Sequence, residues 1–244
     1  MKYVILDLDG TILDDNKRIF PEFLEVLPEI KRRHRIIVVS GRAKISVEKY
    51  IREMDIGENF VSFEGAYVVW KGKVIFKKPF DGETSRFIEE KFGNFALVKF
   101  YENSVEPNDK FKEDFLPYLQ RWGADVLGKE GDIYKFVLAL RGSEIKGKLP
   151  GTVFAYRRNS DIFYDVAPYI TKAEGLRMLM DFVGINPKEC IAFGDSYNDI
   201  GVFEICGFSV AVPWAVEELK KRASIIARPW DGEVMGVLRD RTSL

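Results

Sequence analysis

Cysteine, histidine and glutamine are almost missing from this chain: two, one and one in 244 residues. Cys190 and Cys206 sit in apolar stretches and read as core thiols, not as a disulfide or a metal pair. His34 lies far from every motif described below and reads as a surface residue. No apolar run approaches the ~20 residues of a membrane span, and the chain opens directly on a strand-like run, so no signal peptide is expected. A dominant charge is lacking too. A net charge of −1, without an extended basic run, excludes a nucleic-acid groove. Lys31-Arg32-Arg33 is better read as the cationic end of a helix, which the helix dipole favours. A single glutamine among many lysines and glutamates is the balance that heat-adapted proteins favour. What these absences leave as the default is a cytoplasmic enzyme or binding protein of unknown oligomeric state. Its hydrophobic content of 46% is ordinary for a globular protein, and its length suits a core plus a smaller inserted domain.

Against that plain background one segment stands out, Asp7-Leu8-Asp9-Gly10-Thr11. It follows Tyr3-Val4-Ile5-Leu6, a hydrophobic run that reads as a buried strand. Residues i and i+2 of a strand point the same way, with Cα atoms ~6.5–7 Å apart. One reacting atom can therefore lie between Asp7 and Asp9. Two half-buried carboxylates that close require a proton, a cation or both. A solvated acidic turn at the strand end is the plain alternative.

Up to about residue 70, and again from about 170, apolar strands alternate with helical patterns. That rhythm belongs to a parallel, doubly wound α/β sheet with helices on both faces. A helix is expected from Glu22 to Arg33, with Pro28 kinking or breaking it. Arg35 to Val39 reads as a central parallel strand ending in Ser40-Gly41-Arg42, followed by a helix from Ala43 to Met54. Phe60 to Phe63 is a third strand, and Lys71-Gly72-Lys73 joins two more as a hairpin. Thr171 and Glu174 form a capping-box pattern that opens a helix, and Gly184 closes it. Cys190 to Phe193, Phe208 to Val212 and Ile225-Ile226 read as the last strands. In between, the strands alternate polar and apolar, as in an antiparallel sheet with one exposed face. The expectation is a Rossmann-like core, residues 1–80 and 166–244, carrying an inserted α+β cap domain, residues 81–165.

Three further sites fall where strands end or helices begin, the edge at which open α/β sheets bind ligands. Ser40-Gly41-Arg42 offers a hydroxyl, backbone N–H groups and a guanidinium at a strand-to-helix turn, an anion cradle unless it is only a capped helix start. Lys172 is placed at a helix N-terminus, where the dipole opposes a cation; a lysine facing bound phosphate gains there what a structural lysine does not. Gly194-Asp195-Ser196-Tyr197-Asn198-Asp199 sets two carboxylates across a turn, oxygen ligands of the kind Mg²⁺ takes together with water and substrate phosphate. Asp7, Asp9, Asp195 and Asp199 face one lysine and at most Arg42, so a phosphate dianion cannot bind without a divalent cation.

These four sites, in this order, resemble the haloacid dehalogenase-like (HAD) superfamily. The first motif is matched by Asp7-Leu8-Asp9-Gly10-Thr11, the second by Ser40, the third by Lys172 and the fourth by Gly194-Asp195 through Asp199. Asn198, and a cap inserted between the second and third motifs, are most similar to the Cof-type sugar-phosphatase branch. The resemblance implies a Mg²⁺-dependent phosphatase of small phosphorylated metabolites, sugar phosphates in particular. Asp7 would be the nucleophile, forming an aspartyl-phosphate, with Asp9 as acid and then base. Mg²⁺ would be held by Asp7, the backbone carbonyl of Asp9, Asp195 and, through water, Asp199. Thr11, Ser40, Gly41, Arg42 and Lys172 would hold the phosphoryl group, and Asn198 would touch it or orient the metal loop.

Two departures set this chain apart from a standard Cof-type protein. Glu64-Gly65-Ala66 stands where Asn-Gly-Ala is common, and Pro213-Trp214-Ala215 where Gly-Asn-Ala is common; both are expected near the active-site mouth. Dehalogenases of the superfamily lack an acid at the second position, so Asp9 argues for phosphoryl chemistry. Trehalose- and sucrose-phosphate phosphatases are close alternatives. A phosphomutase of the phosphomannomutase type and a non-enzymatic binding protein also stay open. Tyr101, Tyr156, Arg157 and Arg158, on or near expected cap strands, are candidates for substrate choice, against plainer readings as core aromatics and solvated charges.

Overall fold

A computed structural model describes residues 2–122, 126–142, 144–145, 148–158 and 160–240. In chain order its strands are β1 (Tyr3–Leu6), β2 (Arg35–Val39), β3 (Phe60–Ser62), β4 (Tyr67–Trp70), β5 (Lys73–Lys77), β6 (Ala96–Tyr101), β7 (Val105–Pro107), β8 (Ile133–Arg141), β9 (Thr152–Arg158), β10 (Asp161–Ala167), β11 (Cys190–Gly194), β12 (Phe208–Ala211) and β13 (Ile225–Ile226). Its helices are α1 (Pro21–Arg33), α2 (Lys44–Glu53), α3 (Gly82–Phe92), α4 (Asp109–Arg121), α5 (Lys172–Val183), α6 (Ile200–Ile205), α7 (Glu217–Lys220) and α8 (Gly232–Asp240). The chain divides into two compact units: Met1–Gly41, Val47–Phe76 and Thr171–Leu244 form the first, Arg42–Ser46 and Lys77–Ile170 the second. No helix among the described residues is long and apolar enough to cross a membrane.

The first unit is built on an eight-stranded sheet ordered β13-β12-β11-β1-β2-β3-β4-β5. From β13 to β3 neighbouring strands run parallel, whereas β3 and β4 are antiparallel. The doubly wound sheet expected from the sequence is therefore present, with an antiparallel edge where the turn at residues 63–66 reverses the chain between β3 and β4; Lys71-Gly72 then joins β4 to β5. Both faces of the central strands are buried, which is why they read as continuous apolar runs. Ile5, Ile37, Val39, Val61, Cys190 and Ala192 pack with Leu176, Leu179 and Met180 of α5, Val202 and Phe203 of α6 and Leu219 of α7. The opposite parity, Val4, Leu6, Ile36 and Val38, is equally buried. Each such side chain contributes ~1.5–3 kcal/mol by leaving water.

Two local expectations are corrected here. Pro28 neither breaks nor ends α1, which runs unbroken through it. The hydrogen bond that Pro28 forgoes, to the Leu24 carbonyl, falls on the face where both residues are exposed, so solvent rather than core meets the unpaired carbonyl. His34 is buried, not a surface residue. It is the one residue between α1 and β2, its backbone N–H donating to the Ile30 carbonyl at 2.9 Å, and so short a connection leaves no solvated loop for it.

The second unit is an antiparallel sheet ordered β7-β6-β8-β10-β9. Asp81 caps α3 by accepting from the Thr84 N–H at 2.7 Å, and Asn108 caps α4 by accepting from the Phe111 N–H at 3.0 Å. Ile88 and Phe92 of α3 cluster with Leu97, Phe136, Leu138, Leu140 and Val166 from the sheet. Phe111, Phe115, Tyr118 and Trp122 form an aromatic group with Phe163 of β10. The substrate-choice candidates take structural partners within this unit. Tyr101 donates to Glu106 at 2.8 Å, Tyr156 stacks on Phe163 with ring centroids 5.4 Å apart, and the exposed Arg157 pairs with Glu144 at 2.8 Å. The side chain of Arg158 lies outside the described residues.

Candidate active site

Strand order places the site. β1 lies between β11 and β2, Leu6 pairing with Phe193 on one side and Val38 on the other. Later strands continue outward on both sides, so the C-terminal end of β1 is a topological switch point, where open α/β sheets bind ligands. Asp7 continues β1, Ser40 continues β2, and Asp195 follows β11.

Lys172 enters this edge from α5. The helix starts with the expected capping box: Glu174 N–H donates to Thr171 Oγ1 at 3.3 Å, and Thr171 N–H donates to the Glu174 carboxylate at 2.8 Å. Fixing the first turn fixes the next residue. Lys172 Nζ donates to Asp7 Oδ1 at 2.7 Å and to Asp199 Oδ1 at 2.8 Å, with all three side chains buried. Thr11 donates to the other Asp7 oxygen at 3.1 Å. Asp199 Oδ2 accepts from the backbone N–H groups of Asp195 and Ser196, each at 3.1 Å.

The electrostatics follow from burial. Removal from water pushes the Asp7 carboxyl well above the ordinary range; the attraction of Lys172 opposes this, and the charges of Asp199 and Asp195 add to it. Asp195 is pushed up to about 7, by burial first and by the Asp199 charge next. Burial alone would lower the Lys172 ammonium, but the carboxylates of Asp199, Asp7 and Glu64 outweigh it and hold it well above its usual value. Such a cluster demands more positive charge than one lysine brings. Oxygens of Asp7, Asp195 and Asp199 lie within 4.8 Å of one another, and an all-carboxylate donor set fits a hard cation such as Mg²⁺.

The loop after Asp7 is shaped by Gly10, at φ +73°. A methyl group there would lie 2.1 Å from Asp195 Oδ2, so conformation and space both require glycine. Trp214, half exposed, donates its indole N–H to the Gly10 carbonyl at 2.6 Å. Val216 N–H donates to the Asp195 carbonyl at 2.9 Å. Asp9 makes a short ion pair with Lys17.

β3 stops at Ser62, short of the expected Phe63, because Phe63 and Glu64 turn into left-handed backbone, φ 50° and 58°. That region costs a residue with a β-carbon ~1 kcal/mol or more. The turn carries Glu64 inward: it is 3% exposed, not at a mouth. Asn198 Nδ2 donates to its two carboxylate oxygens at 3.1 and 3.4 Å. A methyl group on Gly41 would meet Glu64 Oε1 at 1.8 Å.

The structure thus brings Asp7, Thr11, Lys172, Asp195 and Asp199 together, with Gly41 and Asn198 joined through Glu64. Ser40 is buried at the end of β2, its N–H donating to the Val61 carbonyl at 2.9 Å. Arg42 groups with the second unit, where it donates to Ser46 Oγ at 2.8 Å and the Trp122 carbonyl at 2.9 Å. Lys17 and the roles of Glu64 and Trp214 were not foreseen. Lys17 gave no signal beyond its place in a polar loop, whereas the other two stood out as departures from the family pattern.

The chain belongs to the haloacid dehalogenase-like hydrolase family, whose model matches residues 4–233. It is similar to YkrA of Bacillus subtilis, named as a candidate phosphatase, with 28% identity over 243 residues, 94% of this chain and 93% of that protein. It is 25% identical, over 87% of this chain and 85% of the other, to the 5-amino-6-(5-phospho-D-ribitylamino)uracil phosphatase YbjI of Escherichia coli. A Geobacillus kaustophilus protein of unstated function shares the fold with a TM-score of 0.80 and 26% identity, over 99% of each chain. The family expectation drawn from the four motifs is met, and the chain is a HAD-like hydrolase.

Proposed function

We propose that this enzyme is a Mg²⁺-dependent phosphatase that hydrolyses small phosphomonoesters, sugar phosphates among them, through an aspartyl-phosphate on Asp7. The observation that carries the reading is the buried Lys172 between Asp7 and Asp199, beside a carboxylate set fit for Mg²⁺. The phosphatase names of its relatives support the class, and the phosphorylated ribityl chain in the name of the Escherichia coli protein supports the sugar-phosphate assignment.

Asp7, Asp195 and Asp199 would hold the metal, which would supply positive charge where the carboxylates otherwise repel the phosphoryl group. Thr11 and Lys172 fix the Asp7 carboxylate by bonding one oxygen each. Asp7 attacks phosphorus: the new O–P bond forms, the ester P–O bond breaks, and the Asp9 carboxyl gives its proton to the leaving oxygen. Asp9, now ionised, takes a proton from water as that water displaces the Asp7 oxygen, releasing inorganic phosphate. The ion pair with Lys17 orients Asp9 and favours its ionised form, the one that serves as base in the second step. Residues 81–165 are proposed to act as a cap that selects the leaving group. The test is phosphate release from a broad panel of phosphomonoesters with Mg²⁺ and with chelator. Turnover of several sugar phosphates, lost in chelator, is the expected result; no release from any member would overturn the proposal.

A further inference from the structure

Glu64 is a buried carboxylate that this mechanism does not use, and its local energetics oppose it. Its backbone is left-handed, a region that asparagine occupies more readily than glutamate. Its side chain is withdrawn from water, which penalises the charge. It also adds negative charge to a centre already holding Asp7, Asp195 and Asp199. Partial compensation comes from the two contacts with Asn198 and from attraction to Lys172. The carboxylate lies against Gly41, in the turn assigned to the phosphoryl group, so close that no β-carbon fits there.

We propose that Glu64 is a specificity-determining residue that lowers the affinity of the centre for the phosphate dianion. Held by Asn198 against Gly41, it stands as an internal anion beside the phosphoryl position, and a bound phosphate must coexist with it or displace it. The consequence is selective. Inorganic phosphate, which has no leaving group to add contacts, is released readily, while phosphomonoesters whose leaving group supplies binding energy of its own are retained. This inference rests on the proposed phosphatase reading and deepens it.

Inorganic phosphate binding to the Mg²⁺-loaded protein, measured by titration calorimetry, tests it. Glu64→Gln removes the charge and keeps an acceptor for Asn198; Glu64→Asn suits the left-handed backbone and guards against a folding failure of the first. Both should tighten the phosphate Kd by about tenfold, equivalent to ~1.4 kcal/mol, with Mg²⁺ affinity in phosphate-free buffer changing far less. Folded variants that bind phosphate no tighter than wild type overturn the inference alone, as does a rise in Mg²⁺ affinity that accounts for the whole gain. A wild-type protein that binds no phosphate and releases none from any phosphomonoester overturns the phosphatase reading itself.

Discussion

Trp214 donates its indole N–H to the Gly10 carbonyl at 2.6 Å, and two residues further on the Val216 N–H donates to the Asp195 carbonyl at 2.9 Å. One short turn thereby grips both the loop carrying Asp7 and Asp9 and the loop carrying Asp195 and Asp199. Trp214→Phe keeps a ring to pack near Phe20, whose centroid is 6.0 Å away, and removes only the donor. The ~0.5–1.5 kcal/mol that a hydrogen bond contributes net to stability predicts a small fall in Tm, and a loss of the same size in transition-state positioning lowers kcat/KM roughly two- to thirteenfold. Steady-state kinetics beside thermal melts check this; a Tm loss without a kinetic one would make Trp214 a purely structural residue.

Lys172→Gln leaves Asp7 and Asp199 buried without their shared cation. Breaking a buried ion pair from one side costs ~3–5 kcal/mol, so the metal-free variant should melt well below wild type. Mg²⁺ should recover part of that difference, since it neutralises the same carboxylates, yet turnover should stay abolished. Melting curves with and without Mg²⁺ decide the point.

Metal-free stability should fall as pH rises. The folded Asp195 carboxyl titrates at about 7, against an ordinary 3.8, so between those values the folded state holds a proton that the unfolded chain has lost. Raising pH through that window removes the Asp195 contribution, which is gone above about 7, and Asp7, raised by burial as well, adds a loss in the same direction. Mg²⁺ must displace the same proton, so its binding weakens as pH drops below about 7. Thermal shifts recorded with and without Mg²⁺ across this range should show a metal-induced gain that grows with pH. A gain independent of pH contradicts the assignment.

Substrate discrimination, if it resides in residues 81–165, should respond to substitutions there by ~1–3 kcal/mol per lost contact for the best natural substrate. Hydrolysis of p-nitrophenyl phosphate should change much less, because it offers little leaving group to grip. Parallel losses for both substrates across several variants would move selection to the first unit, beginning with Glu64 and Trp214.

The features legible in the sequence are those whose causes are local. Thr171 and Glu174 specify the start of α5 because a capping box is closed by residues three apart. Asp7 and Asp9 are legible because an apolar run ending in charge marks a strand reaching the sheet edge. Contacts between distant segments are not legible. The Asn198–Glu64 bond spans 134 residues and the Trp214–Gly10 bond 204, and neither leaves a periodic trace. β7 leaves no trace in the sequence because three residues ending in proline are too few to show alternation. His34 reads as exposed because it lies far from every motif, and Pro28 reads as a kink or break from its residue type; a one-residue connection and an exposed helix face decide the outcome instead.

The nucleophilic role of Asp7 is the centre of this account. Acid-quenched enzyme taken during turnover of a phosphomonoester, treated with hydroxylamine and mapped by mass spectrometry, tests it most directly, because hydroxylamine converts an acyl-phosphate to a hydroxamate at the residue that carried it. The account predicts a hydroxamate at Asp7, absent without substrate and absent in Asp7→Asn, which should fold and release no phosphate. Steady phosphate release with Asp7 unlabelled, or from a folded Asp7→Asn at near wild-type rate, would contradict it.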